Sequence, residues 1–272
     1  MLKRVITAVI GLPLVIFVVH TGGWLLLLMC LALSLVGLRE LFRAFSKKDK
    51  PVHVVGYAFT VFYFISIYFF GYNLAIIGAS LFIIAVQTCM VLLFPKVSVE
   101  DGAITVFGFL YVPFLFSFIL LTREFYYGHF FVWLIFTISF GCDTFAYMTG
   151  VSIGRHKLTN SPSPKKSVEG IIGGVLGAAL VGWLYGFFIV RFGNSPYSAG
   201  LTMGIATSIS LLGAGFSVIG DMSASAIKRH TGIKDFGALL PGHGGVLDRA
   251  DSILFVAPFV YLAMIVVSIV II

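Results

Sequence analysis

Charged side chains are scarce in this sequence. Only 11% of its 272 residues are Asp, Glu, Lys or Arg, whereas 59% are hydrophobic and 28 residues are Phe. Ordinary soluble domains contain about 25% charged and about 45–50% apolar residues. A soluble fold of this size could not bury so much apolar surface, so the composition predicts an integral membrane protein and argues against a water-soluble enzyme.

Cysteine is also rare, and its spacing carries no recognisable chemistry. The three cysteines, Cys30, Cys89 and Cys142, lie far apart within apolar runs. They form neither a metal-binding pattern nor a disulfide framework. We therefore interpret them as small apolar side chains.

Long apolar runs are abundant, and they give about nine candidates for membrane-spanning helices. The runs cover approximately residues 4–20, 24–38, 52–70, 73–94, 104–121, 130–151, 169–190, 200–220 and 252–272. The first is interpreted as a retained span, because no convincing signal-peptide cleavage site follows it. The expected fold class is an all-α integral membrane protein, a polytopic helical bundle with about nine transmembrane helices.

The basic residues are distributed unevenly between the two sides of this arrangement. With nine spans, the N-terminus shares one side with the loops near 39–50, 95–103, 152–168 and 221–251. All of the 18 Lys and Arg residues lie on that side except Arg123 and Arg191. Because cytoplasmic loops are enriched in Lys and Arg, we expect a cytoplasmic N-terminus. The net charge of +7 is then explained by orientation in a lipid bilayer and does not indicate a nucleic-acid partner.

Unusual polar residues concentrate in the second half of the chain. Asp143 lies well inside the sixth apolar run, where an isolated carboxylate costs about 2.5–3.5 kcal/mol on insertion scales. It should therefore face a polar cavity or a cation, unless it is protonated or caps a broken helix.

A basic loop follows the sixth run. Two prolines in the segment SPSP, 161–164, are incompatible with a regular helix, and cationic side chains surround them. Arg and Lys donate charge-assisted hydrogen bonds to phosphate oxygens, so the loop suits a polyphosphate. An ordinary cytoplasmic loop would also be basic, and the composition alone leaves both interpretations open.

Carboxylates recur in the segments around residues 220–230 and 234–252. If the first segment is helical, Asp221, Ser225 and Lys228 lie on one face. In the second, glycines surround His243, and Asp248 and Asp251 are spaced to point the same way from a first helical turn. Such carboxylates are hard oxygen ligands that suit Mg²⁺ with substrate phosphates. N-capping of the last helix is the alternative for one of them.

The stretch SAIKRHTGIKDFGALLPGHGGVLDRAD, 225–251, closely resembles the signature of the phosphatidate cytidylyltransferases, also called CDP-diacylglycerol synthases. The matching positions are Ser225, Lys228, Arg229, Lys234, Asp235, Gly237, His243, Gly244, Gly245, Asp248, Arg249 and Asp251. The resemblance extends to Asp143-Thr144, to the segment 163–170 and to Gly220-Asp221, and so covers roughly residues 140–252. Ala250 and Cys142 depart mildly from the family pattern.

The resemblance implies a reaction in which CTP and phosphatidate give CDP-diacylglycerol and pyrophosphate. It also implies a Mg²⁺ cofactor, a second cation such as K⁺ in some members, and a homodimer. The expected location is the inner cell membrane, with multiple spans and the active site on the cytoplasmic side. One substrate would come from the bilayer and the other from the cytoplasm. With this resemblance, residues 1–125 are expected to form N-terminal transmembrane helices for packing and dimerisation. Residues 126–272 are expected to form the transmembrane catalytic region, with a polar site on the cytoplasmic side.

The same resemblance, read with the charges, implies roles for individual residues. The expected catalytic residues are Asp221, Asp248, Lys228 and Arg229. The expected metal ligands are Asp221 and Asp248, supported by Asp251 and Asp143. The expected substrate-binding residues are Arg155, Lys157, Ser163, Lys165, Lys166, Ser167, Glu169, Ser225, Lys234, Asp235, His243, Gly244, Gly245 and Arg249.

Two other functions fit parts of the sequence. A cation transporter would explain Asp143, but it should place charges in several spans or show inverted repeats. A lipid kinase that uses CTP as phosphate donor would share the nucleotide and the bilayer substrate, and its product would distinguish it. A CDP-alcohol phosphatidyltransferase would need a longer pattern of aspartates, which the sequence lacks.

Overall fold

A computed structural model describes residues 2–46, 50, 52–159, 161–239 and 244–271, with the backbone alone for 2–10 and 72–75. Within these ranges the chain is helical and contains no strand, apart from one isolated bridge between Lys157 and Ser167. The all-α prediction is confirmed.

The described residues form ten α-helices. They are α1 (Leu2–Thr21), α2 (Gly23–Phe45), α3 (His53–Phe70), α4 (Tyr72–Leu92), α5 (Val99–Phe109), α6 (Leu115–Glu124), α7 (Gly128–Ile153), α8 (Val168–Phe192), α9 (Ala199–Thr231) and α10 (Leu247–Ile271). A π-helical segment, Leu110–Phe114, joins α5 to α6. It contains Pro113, which has no backbone N–H to donate within a helix.

Seven helical segments in the described part of the chain are long and apolar enough to cross a membrane. Two further apolar helices, Gly11–Thr21 and Ile76–Leu92, are shorter. The chain is therefore a multi-pass membrane protein, as its composition predicts. The count of nine spans and the cytoplasmic N-terminus stay predictions.

The second span was predicted to end too early. The apolar run predicts an end at residue 38, but α2 continues to Phe45. The prediction is wrong because the charged residues Arg39, Glu40 and Arg43 continue the helix and do not begin the loop. In the helix, the two arginines are exposed while Glu40 is only 7% exposed.

The helices that carry the signature segment also extend further than predicted. Helix α9 has 33 residues, which corresponds to roughly 50 Å at 1.5 Å per residue. Its last third, beyond residue 220, therefore places Asp221, Ser225 and Lys228 on a continuous helix, as the spacing required. Helix α10 begins at Leu247 rather than at residue 252, so Asp248 and Asp251 both belong to its first turns.

The chain divides into two compact units, each of which has its own interior. The first unit comprises residues 1–121 and 230–249. Its core is aromatic: Phe42, Phe64, Phe82 and Phe109 are at most 1% exposed, and the rings of Phe82 and Phe109 have centroids 4.3 Å apart.

The second unit comprises residues 122–229 and 250–272. Small residues let its helices approach closely: a Cβ added at Gly177 would collide with Phe145 of α7, and Cys142, Ala178 and Ala214 form a buried cluster. Burial of Cys142 agrees with its interpretation as a small apolar side chain. The functional division proposed at residue 125 stays a prediction.

Candidate active site

An ion pair in the second unit joins the basic loop to α9. The ammonium of Lys166 contacts the carboxylate of Asp221, and their side chains are 24% and 27% exposed. Lys166 lies just before α8, and Asp221 begins the last third of α9. A partly solvated pair of this kind keeps both charges available to a ligand, because neither side chain is sealed in the interior.

Asp251 of α10 lies beside this ion pair but is more deeply placed, at 9% exposure. One of its oxygens, Oδ1, accepts the backbone N–H of Ser252 at 2.9 Å. The carboxylates of Asp221 and Asp143 repel Asp251, and the ammonium of Lys228 attracts it. The sequence predicts that these charged residues lie close together, and within this unit they do.

Two local features hold this acidic cluster. The Ser252 hydroxyl is within 3.3 Å of Oδ2 of Asp143, to which it donates. Gly220 precedes Asp221 where α9 passes α10, and an added Cβ would lie 2.5 Å from the backbone oxygen of Asp251. The glycine therefore permits the close approach that places acidic residues of two helices together.

The basic loop between α7 and α8 is shaped mainly by its own backbone and by Glu169. The Glu169 carboxylate accepts the backbone N–H groups of Arg155 and His156, at 3.1 and 3.2 Å, and pairs with the His156 ring. Ser167 caps α8 by accepting the N–H of Gly170 at 3.1 Å. Glu169 and Ser167, two of the predicted substrate-binding residues, therefore hold the backbone of this loop through hydrogen bonds.

The remaining cations of the second unit differ in exposure. Arg155, Lys157 and Lys165 are exposed, while Lys228 is half-buried. Arg229, at the end of α9, donates from Nε to the backbone oxygen of Pro162 at 3.4 Å, which connects α9 to the basic loop. Ser163 and Ser225 are half-buried.

The described parts of the signature loop, residues 232–239 and 244–246, belong to the first unit. Asp248 accepts the backbone N–H groups of Phe236 at 2.8 Å and Gly245 at 3.0 Å, both through Oδ2. Gly244 has a φ of +86°, in the left-handed region that favours glycine. Lys234, Asp235 and Arg249 are exposed, and His243 lies outside the described residues.

Glu40 lies near this loop and is not among the site residues predicted from the sequence. Its carboxylate accepts the N–H groups of Val246 at 3.1 Å and Leu247 at 3.0 Å, at the start of α10. The available signal was an acidic residue next to two arginines at the end of an apolar run. Its hydrogen-bond partners, 206 and 207 residues later in the chain, become visible in the structure.

The acidic cluster of Asp143, Asp221 and Asp251 offers carboxylate oxygens to a divalent metal. Among the residues whose positions are described, no three His, Cys, Asp or Glu side chains are grouped closely enough to hold an ion by themselves. Mg²⁺, however, is usually held by one or two carboxylates together with water and substrate phosphates. The mutual repulsion of Asp221, Asp143 and Asp251 fits such a partial site, since a cation would relieve it.

Chemically, the arrangement is suited to a phosphate-rich ligand. Ammonium groups bind phosphate oxygens, and nearby carboxylates can hold a metal that shares those oxygens. It offers no nucleophile of its own that the geometry singles out. Positioning and charge stabilisation, the main requirements of phosphoryl-type transfer, are what these side chains can supply.

Comparison with known proteins gives one family. The sequence profile of the Cytidylyltransferase family matches residues 2–267. The phosphatidate cytidylyltransferase of Staphylococcus aureus (strain COL) is 33% identical over 269 residues, which cover 96% of this chain and 98% of that protein. The Bacillus subtilis (strain 168) protein of the same name is 30% identical over 269 residues, with 96% of each chain covered.

A further relative shares a higher identity over a shorter stretch. The phosphatidate cytidylyltransferase of Thermotoga maritima is 39% identical over 159 residues. That alignment covers 56% of this chain and 55% of the other protein. The staphylococcal and Bacillus alignments extend the similarity over nearly the whole chain.

Proposed function

The chain belongs to the cytidylyltransferase family, and from this we propose that it transfers the cytidylyl group of CTP to phosphatidate, releasing pyrophosphate. It is a nucleotidyltransferase of phospholipid synthesis, embedded in a membrane. The structural observation that carries the proposal is the ion pair between Lys166 and Asp221, set beside the buried carboxylate of Asp251. This cluster provides charges of both signs for a metal-bound triphosphate.

The proposed reaction is an in-line displacement at the α-phosphorus of CTP. An oxygen of the phosphatidate phosphate forms the new P–O bond, and the bond to pyrophosphate breaks. The attacking phosphate is already an anion near neutral pH, so no strong general base is needed. Lys166, Lys228 and Arg229 would bind the phosphates, and the charge that develops on the leaving pyrophosphate would be stabilised by these cations.

Mg²⁺ is the proposed cofactor, and when bound it would supply positive charge to the phosphate oxygens. Asp221 and Asp251 are its proposed ligands in the second unit, with Asp143 in support. Asp248 is proposed as a further ligand and precedes Asp251 by one helical turn in α10. A second cation, such as K⁺, belongs to the same proposal.

The remaining predicted residues complete the substrate site in this proposal. Exposed Arg155, Lys157 and Lys165 would attract CTP or the lipid phosphate, while Ser163, Ser167 and Glu169 would hold the loop that presents them. In the signature segment, the proposed nucleotide contacts are Ser225, Lys234, Asp235, His243, Gly244, Gly245 and Arg249.

The proposed setting is the inner cell membrane, with nine spans, a cytoplasmic N-terminus and the site on the cytoplasmic side. Its support is the basic bias of alternate loops, because Lys and Arg are retained on the cytoplasmic face. Cytoplasmic exposure would give the site access to CTP. A homodimer is part of the same proposal and rests on the family resemblance.

Purified protein in detergent micelles, given Mg²⁺, phosphatidate and CTP labelled at either the α- or the γ-phosphate, tests the reaction. The proposal predicts that α-label enters the lipid phase, that γ-label does not, and that Asp248→Ala abolishes the transfer. Entry of the γ-label instead would establish a CTP-dependent lipid kinase. Absence of both labels from the lipid would overturn enzymatic transfer to phosphatidate.

A further inference from the structure

Glu40 is a buried acidic residue in the membrane-spanning helix α2. Its side chain is 7% exposed, whereas the neighbouring Arg39 and Arg43 are exposed. Burial of a carboxylate is unfavourable unless hydrogen bonds or charges compensate for the lost water. The contacts of Glu40 therefore show which groups compensate for the burial of its carboxylate.

The contacts are backbone amides at the start of α10. One carboxylate oxygen accepts the N–H of Val246 at 3.1 Å, and the other accepts the N–H of Leu247 at 3.0 Å. The first N–H groups of a helix have no partner within the helix, and the helix dipole favours a negative charge beside them. Glu40 thus caps α10 from a helix more than 200 residues earlier in the chain.

Two glycines make room for this cap. A Cβ added at Gly237 would collide with Oε1 of Glu40, and one added at Gly245 would collide with both carboxylate oxygens. Both positions lie in the signature loop. Any larger side chain would have to push the carboxylate away from the amides that it binds.

The amides that Glu40 holds lie directly before Asp248. Asp248 in turn accepts the N–H groups of Phe236 and Gly245, and the two carboxylates repel each other. Because Glu40 occupies the end amides of α10 and repels Asp248, it restricts where the Asp248 carboxylate can turn. The same contacts fix the backbone of the signature loop on both sides of Gly245.

We propose that Glu40 is a positioning residue for the cytidylyl transfer, because it fixes the first turn of α10 and the direction of the Asp248 carboxylate. This inference rests on the function proposed above. Glu40 touches neither substrate nor metal in this proposal. Its effect is transmitted through the backbone of residues 244–248.

The test compares Glu40→Gln with Asp101→Asn as a matched control. Asp101 is another buried carboxylate of the first unit, 6% exposed. It accepts the backbone N–H of Ser98, the N-cap of α5, and the backbone N–H of Lys50. Both substitutions preserve side-chain size and remove one acceptor oxygen. Of these two carboxylates, Glu40 is the one whose hydrogen bonds in the described part of the chain lie at the start of α10, next to the signature loop.

Two readouts are measured on full-length protein in lipid nanodiscs. Hydrogen–deuterium exchange of peptides covering residues 236–250 should accelerate in Glu40→Gln but not in Asp101→Asn. In the transfer assay, Glu40→Gln should lower kcat by about 10- to 100-fold, the loss typical of slightly misplaced groups, and raise the Mg²⁺ concentration required for half-maximal rate. Asp101→Asn should retain the wild-type kcat and Mg²⁺ requirement.

Gly237→Ala is a second variant. It tests the positioning role of Glu40 if Glu40→Gln does not give folded protein. Its added Cβ would displace the Glu40 carboxylate, so it should reproduce both changes. Wild-type exchange, or wild-type kcat and Mg²⁺ requirement, in these variants would overturn the inference while leaving the function intact. A wild-type protein that transfers no label to lipid would instead overturn the proposed function, and the inference with it.

Discussion

At the scale of single residues, the pairing of Lys166 with Asp221 is the contact most directly linked to the proposed chemistry. Both side chains come from segments that are far apart in the sequence, and both remain partly accessible. Asp221 can orient the ammonium while its own charge stays available to a metal. The pair therefore links the basic loop to the acidic cluster.

Lys166→Gln should lower kcat/KM for the transfer. A hydrogen bond between charged groups contributes about 1.5–3 kcal/mol, which corresponds to a loss of about 10- to 150-fold. Steady-state rates of label transfer from CTP measure the effect. Lys96→Gln, in the exposed loop after α4, is the control and should match wild type. A Lys166→Gln rate within a factor of about two of wild type would show that the ammonium does not act on the transition state.

Much of the site could be predicted from residue types, because metal- and phosphate-binding chemistry restricts them strongly. The acidic residues Asp143, Asp221 and Asp251 were identified in this way, and the structure places them within electrostatic range of one another. Glu40 could not be identified, since its partners are backbone amides. Backbone partners leave no pattern in side-chain identity.

At the scale of helices, periodicity and hydropathy predicted which segments are helical but not where they end. Helices α2, α9 and α10 all extend beyond their apolar runs into charged sequence. Hydropathy marks the part of a helix within the hydrocarbon, whereas the backbone continues wherever the end groups find partners. These additional turns contain Glu40, Lys228 and Asp248. The helix ends therefore contribute charged residues of the candidate site and of the signature loop's surroundings.

Helix packing in the second unit depends on glycine at specific positions. A Cβ at Gly177 would collide with the Phe145 ring, while one at Gly204 would meet nothing within 4 Å. Gly177→Ala should therefore lower the melting temperature in detergent, since overpacking costs about 1–3 kcal/mol. Gly204→Ala should maintain or raise it, because Ala is favoured over Gly in helices by about 1 kcal/mol. Equal melting temperatures would contradict close packing of α7 against α8.

At the scale of the whole molecule, the uneven distribution of basic residues predicts the orientation in the membrane. Cysteines introduced at Lys96 and Arg191, both exposed, test it in a Cys89→Ser background, where the remaining Cys30 and Cys142 are buried. A membrane-impermeant maleimide should label position 191 in intact cells and position 96 only after permeabilisation. The reverse pattern would contradict the cytoplasmic N-terminus.

The proposed activity of this membrane protein is to join a cytidylyl group to a lipid phosphate. The most direct measurement follows pyrophosphate and lipid-linked cytidine together, in purified wild-type protein and in Asp221→Asn. We expect both products to form in equal amounts and to require phosphatidate as well as CTP. We expect Asp221→Asn to form neither product at a comparable rate. Release of CDP, or of pyrophosphate without lipid-linked cytidine, would contradict the proposed activity.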